Sequence, residues 1–125
     1  MRQYNELPGF EELYLEDSFV LSFDVSPMRL RIEIEAVLCA GHPRYHEPRP
    51  NEQHCYLRGS IRFIDARSIA WSGLGEVMPA IDARGDMDYG GIDGFWVEDE
   101  TYTLEGSFGT LVITTSALPV FEPGD

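Results

Sequence analysis

The run at residues 28–38, MRLRIEIEAVL, alternates without a break. Leu30, Ile32, Ile34, Ala36 and Leu38 fall on one side, and Arg29, Arg31, Glu33 and Glu35 on the other. Strand side chains point to opposite faces with a period of two, so this run builds a strand with one dry and one wet face. Wound as a helix, the same residues would mix charge and hydrocarbon around the cylinder. A strand with one dry face has to bury it against a second layer, and the rest of the chain supplies mainly more strands for that layer.

Residues 55–65 repeat the pattern, with Leu57, Ile61 and Phe63 on one face and Arg58, Ser60 and Arg62 on the other. Gly59 in that run signals a bulge or a close backbone approach. In residues 18–25, alternation places Phe19, Leu21, Phe23 and Val25 together on the face of a half-buried strand, and Ser26-Pro27 ends it in a turn. Residues 68–72 resume strand character after a bend at 65–67. Three more short strands are expected at 95–98, 102–105 and 110–116, separated by turns at 98–100 and 106–109. Residues 4–17 open on the turn signal Pro8-Gly9 and fit a helical turn or a short strand equally well. Residues 74–84 fit a short strand or a helical turn, and the prolines of the tail, ALPVFEPGD, extend it. The expected fold is all-β: a single-domain antiparallel sandwich or open barrel of six to eight short strands over residues 1–125, with little helix.

A chain of 125 residues fits one domain, and 43% hydrophobic with 12% aromatic content is ordinary for a globular one. No apolar run approaches the roughly 18–20 residues that span a bilayer. The opening MRQYNELPGF lacks the apolar segment of a secretory signal, so the expected location is the cytoplasm and no membrane partner is expected. Net charge is -13, and all nine basic residues are arginine, a bias that fits a GC-rich bacterial genome. Charge is uneven: residues 1–28 carry -5, residues 29–84 carry +1 and residues 85–125 carry -9. Nucleic acid is therefore not an expected ligand, because phosphate binding needs a basic surface. A basic protein partner suits the acidic ends. Exposed edge strands also offer a route to a homodimer.

Two stretches interrupt the strands. Residues 39–56, CAGHPRYHEPRPNEQHCY, hold all three histidines, both cysteines and three of the eight prolines. A connection of this length in a compact domain is functional or disordered more often than not. Its possible zinc ligands run C-x2-H-x3-H-x7-H-C, without the tight ligand pairs of structural zinc sites, and His54 and Cys55 would point to opposite sides of a strand. No metal or other cofactor is expected. If the flanking strands pair, Cys39 and Cys55 meet at the base of the loop; reduced thiols are the simplest state there. No signature of a thiol enzyme accompanies either cysteine. The second stretch, residues 82–94, is dense in Asp and Gly. Its Asp86, Asp88 and Asp93 resemble the start of a calcium loop, but Gly90 stands where a third oxygen ligand belongs and Val97 occupies the twelfth position.

Several short runs together look like a small, uncharacterised bacterial all-β family: Tyr14-Leu15-Glu16-Asp17-Ser18, His42-Pro43 with Tyr45 and Pro48, Glu52 with Cys55-Tyr56, Asp88-Tyr89-Gly90 with Ile92-Asp93, and Leu104-Glu105-Gly106. The general build resembles the β-sheet immunity proteins of bacterial toxin systems. That resemblance implies a compact β-domain that binds and neutralises a toxin, and it brings no catalytic residues. The expected function is a non-enzymatic protein-interaction domain. The alternative is a small-ligand or metal-binding domain with its site between the 39–55 loop and the 86–93 turn. The binding residues expected on either view are His42, Tyr45, His46, His54, Tyr56, Asp88, Tyr89 and Asp93.

Overall fold

The computed structural model describes residues 1–73, 80, 81 and 87–124, with backbone alone at 80, 81, 87 and 88. The chain forms β1 (Arg2–Gln3), a 3-10 turn (Tyr4–Glu6), β2 (Leu13–Ser26), β3 (Arg29–Leu38), β4 (Tyr56–Phe63), β5 (Ala66–Ser72), β6 (Ala80–Ile81), β7 (Met87–Asp88), β8 (Ile92–Glu98), β9 (Thr101–Gly106), β10 (Gly109–Thr115) and β11 (Val120–Pro123). Two antiparallel sheets face each other, one of order β1-β8-β9-β10-β5 and one of order β11-β4-β3-β2. They do not close into a barrel, and β6 and β7 form a separate two-stranded ribbon. The all-β sandwich is thus observed. Its two sheets hold nine strands because both chain ends join them: β1 pairs with β8, and the tail is a true strand, β11, on β4. Among the described residues there is no α-helix, and no helix long and apolar enough to cross a membrane.

The alternation of residues 28–38 becomes β3 as expected, paired with β4 so that Leu30 faces Phe63, Ile32 faces Ile61, and Ala36 faces Leu57. Leu30, Ile32, Ile34, Ala36, Ile61 and Phe63 are buried. From the opposite sheet come Phe95, Leu104, Leu111 and Ile113, so both inner faces meet in one core. Aromatic rings lock it together: Phe63 lies 6.0 Å from Phe95 and 5.7 Å from Tyr102, and Phe10 meets Phe95 edge-on at 5.8 Å. Gly59 is a close approach: a Cβ there would stand 2.7 Å from the Phe121 ring and the Glu122 carbonyl oxygen. The missing side chain lets β11 lie flat on β4 and drop Phe121 into the core.

β2 departs from simple alternation. Tyr14 pairs with Val37, but the next pair is Phe19 with Glu35, so four residues of β2 stand opposite Ala36 alone. A second register shift follows between Val20 and Ser22. Each extra residue reverses the side-chain phase and bends the strand. The face expected from the sequence is therefore broken. Val20 is buried, Phe23 is half-buried against the core, and Phe19 is turned outward with 41% of its surface exposed. Two side chains supply the bonds that the bulged backbone cannot. Buried Ser18 donates from Oγ to the Tyr14 carbonyl (2.8 Å) and accepts from the Val37 N–H (2.9 Å). The Tyr4 hydroxyl donates to the Glu16 carboxylate and accepts from the Leu15 N–H at 3.1 Å. Burial first, then the Glu16 carboxylate, pushes the Tyr4 phenol well above its ordinary range.

Candidate functional site

The bulge sets one corner of the four-stranded sheet. Register places Tyr14, Val37 and Tyr56 in one row on the outer face and Phe19, Glu35 and Arg58 in the next. Tyr14 is 45% exposed, yet Val37 between the two tyrosines is buried. The Phe19 ring lies 6.4 Å from the Tyr56 ring, and His54 meets Tyr56 edge-on at 6.0 Å. Nε2 of His54 stands 3.5 Å from Oδ2 of Asp17, the residue that the bulge pushes out beside Phe19. Glu35 pairs with Arg58 at 3.5 Å. Burial, and then the carboxylates of Glu35, Glu52 and Asp17, raise the pKa of the Tyr56 phenol. The arrangement is an aromatic surface with a carboxylate rim. Its groups can stack on, and attract, a cationic or aromatic side chain. It presents no activated nucleophile.

The connection from β3 to β4 carries the remaining histidines. The Leu38 N–H bonds the Cys55 carbonyl (2.9 Å) and the Cys39 N–H bonds the Glu12 carbonyl (2.9 Å), which pins its base. Gly41 crosses close to the Glu12 carboxylate, so a Cβ there, 2.8 Å away, would push that side chain aside. His42 Nδ1 accepts from the Arg44 N–H at 3.0 Å, and the His46 ring bonds the Glu47 carbonyl at 2.9 Å. Both imidazoles therefore brace their own loop. Tyr45 packs against the core. Cys39 and Cys55 are free thiols at the loop base, and the Cys55 sulfur accepts the His46 N–H at 3.5 Å. Burial, with the carboxylates of Glu12 and Glu16, raises the Cys39 thiol, so it is held protonated and unsuited to attack. Among the described residues no group of three His, Cys, Asp or Glu converges to hold a metal ion.

Of the Asp-rich turn, residues 89–91 lie along the edge of β2 opposite β3. The Tyr89 N–H bonds the Val20 carbonyl (2.8 Å), the Val20 N–H bonds the Gly90 carbonyl (2.9 Å), and Phe19 bridges to Gly91. Tyr89 turns toward the core and meets Phe23 edge-on at 5.4 Å. Asp93 is an exposed bulge residue of β8. Asp88 has its backbone in β7, and its side chain lies outside the described residues, as does Asp86 altogether. Of the eight residues expected from the sequence, His54 and Tyr56 are brought together; His42, Tyr45 and His46 stay within the loop; Tyr89 and Asp93 stand apart. Phe19, Asp17 and Tyr14 complete the cluster, although none of them was among the expected binding residues. Their trace in the sequence is Glu16-Asp17-Ser18, three consecutive polar residues inside β2 where the bulge forms. Comparison with protein-family models, curated proteins and solved structures finds no match to the chain.

Proposed function

We propose that the protein is a non-enzymatic interaction domain that binds a basic protein partner through the Tyr14–Phe19–Tyr56 corner. The observation that carries this is Phe19: a large apolar side chain in mid-strand, turned to solvent by a bulge that two side chains brace. Exposed aromatic side chains near the centre of a patch are the usual anchors of protein interfaces, and carboxylates around them favour a cationic partner. The resemblance to immunity proteins suggests a bacterial toxin as that partner, and the net charge of -13 agrees with such a pairing. The alternative ligand site between the 39–55 loop and the 86–93 turn has less support, because residues 89–91 of that turn bond the edge of β2 away from β3.

The test is a titration of purified products of neighbouring genes against the protein, at low and at high salt. A partner whose affinity falls several-fold between about 50 and 500 mM salt supports the proposal, since surface charge is screened over that range. If every such product fails to bind, or binds with no salt dependence, the proposal is wrong.

A further inference from the structure

On the reading that the Phe19 corner is the binding surface, we infer that it takes an arginine side chain of the partner. The guanidinium lies against the Phe19 and Tyr56 rings and bonds a carboxylate beside them. Three carboxylates, those of Glu35, Glu52 and Asp17, stand near enough to Tyr56 to add to the effect of burial on its phenol. They differ in what already holds them. Glu35 pairs with Arg58 at 3.5 Å. Asp17 meets only the His54 imidazole, Oδ2 to Nε2 at 3.5 Å, and a neutral imidazole brings no charge to that contact. The Glu52 carboxylate pairs with no cation among the described residues. The corner therefore sets Asp17 and Glu52, neither with a permanent cation, next to two aromatic rings.

The rings decide which cation fits. The Phe19 and Tyr56 centroids are 6.4 Å apart, with the ring planes inclined by 35°, and Phe19 is largely open to solvent. Buried Val37, in the same row as Tyr14 and Tyr56, adds hydrocarbon beneath them. A lysine ammonium is a compact, strongly hydrated charge and gives up its water poorly against such a surface. A guanidinium is planar and more weakly hydrated, and it stacks on aromatic faces. Its donors lie in that same plane, so a stacked guanidinium still presents a fork to a carboxylate at the rim. Arg58 is not that cation, because Glu35 stands between it and Phe19 in one row and holds it. An incoming guanidinium bonds Asp17 in place of the His54 imidazole, which is the weaker partner for a carboxylate while neutral.

The probes are capped Gly-Arg-Gly, Gly-Lys-Gly and Gly-Tyr-Gly, each titrated at neutral pH into the 15N-labelled full chain. The arginine peptide should shift amides of residues 17–19, 35–37 and 54–58. It should bind about three- to fivefold more tightly than the lysine peptide, the margin of a cation–π contact at an exposed site. Asp17→Asn and Phe19→Ala should each weaken it by a similar factor. Glu105→Gln, exposed on the other sheet, removes the same charge as Asp17→Asn and should leave the binding unchanged. Equal binding of the lysine peptide at the corner, or tighter binding of the tyrosine peptide, overturns the arginine assignment and leaves the corner standing as the interface. No shift at tens of millimolar peptide, shifts only outside the corner, or an equal loss in Glu105→Gln also overturns it. The proposed function then still stands or falls on the titration of neighbouring gene products. Sedimentation that shows a dimer dispersed by the arginine peptide would assign the group to a second copy of the chain and overturn the partner.

Discussion

Ser18 shows how one side chain fixes local architecture. Its hydroxyl takes the Val37 N–H that the bulged backbone of β2 leaves without a strand partner. Ser18→Ala strands that buried donor, so it should destabilise the fold by about 1–3 kcal/mol in a denaturant titration. Tyr4 performs the matching task for Leu15, and its phenol is held neutral by burial and by Glu16. A folded-state pKa above the unfolded one contributes stability that is complete below the unfolded value, near 10, and lost as pH rises beyond it. Melting curves should therefore fall steeply above about pH 10, and the fall should be shallower in Tyr4→Phe. Met28, held at φ 70, carries the opposite kind of contribution. Relieving its left-handed backbone with Met28→Gly should raise stability by roughly 0.5–1 kcal/mol, after the extra chain entropy of glycine is offset.

The elements differ in how plainly the sequence announces them, and the reason is phase. β3 pairs with β4, and β9 with β10, without a register shift, so alternation identifies these strands and most of their buried faces. β2 resets its phase twice, and one extra residue is enough to turn Phe19 from core to solvent. Alternation cannot reveal a bulge whose cause lies in Ser18 and Tyr4. β1 and β11 were not legible as strands for another reason: two residues, or four ending on proline, are too short to show a period. The loop was located correctly, but the aim of its histidines depends on which backbone groups each imidazole finds. For the same reason the sequence put His42 and His46 level with His54, whereas only His54 reaches the cluster. The docking of β11 can be tested directly. Gly59→Ala forces a methyl group into the Phe121 ring and the Glu122 carbonyl, and should cost about 1–3 kcal/mol with β11 amides losing exchange protection first.

Across the whole molecule, the two sheets divide the labour. Their inner faces share one core, while their outer faces differ. The four-stranded sheet presents ion pairs, such as Arg62 with Glu122 and Arg58 with Glu35, and ends in the aromatic corner. The outward positions of β9 and β10 are mainly threonine, Thr101, Thr103, Thr110 and Thr114, uncharged and suited to a sheet surface. An excess of 13 negative charges surrounds both sheets and should speed the approach of a cationic partner in a salt-dependent way.

The central claim is that Phe19 is turned outward for binding and contributes little to folding. It is tested by measuring two properties of one variant, Phe19→Ala: its unfolding free energy and its affinity for the partner found among neighbouring gene products. The account predicts stability within about 0.5 kcal/mol of the parent, as for surface positions, and an affinity at least ~30-fold weaker, as for an interface anchor. A stability loss of about 3 kcal/mol or more would mark Phe19 as a core residue. Unchanged affinity would remove it from the interface, and either result would contradict the account.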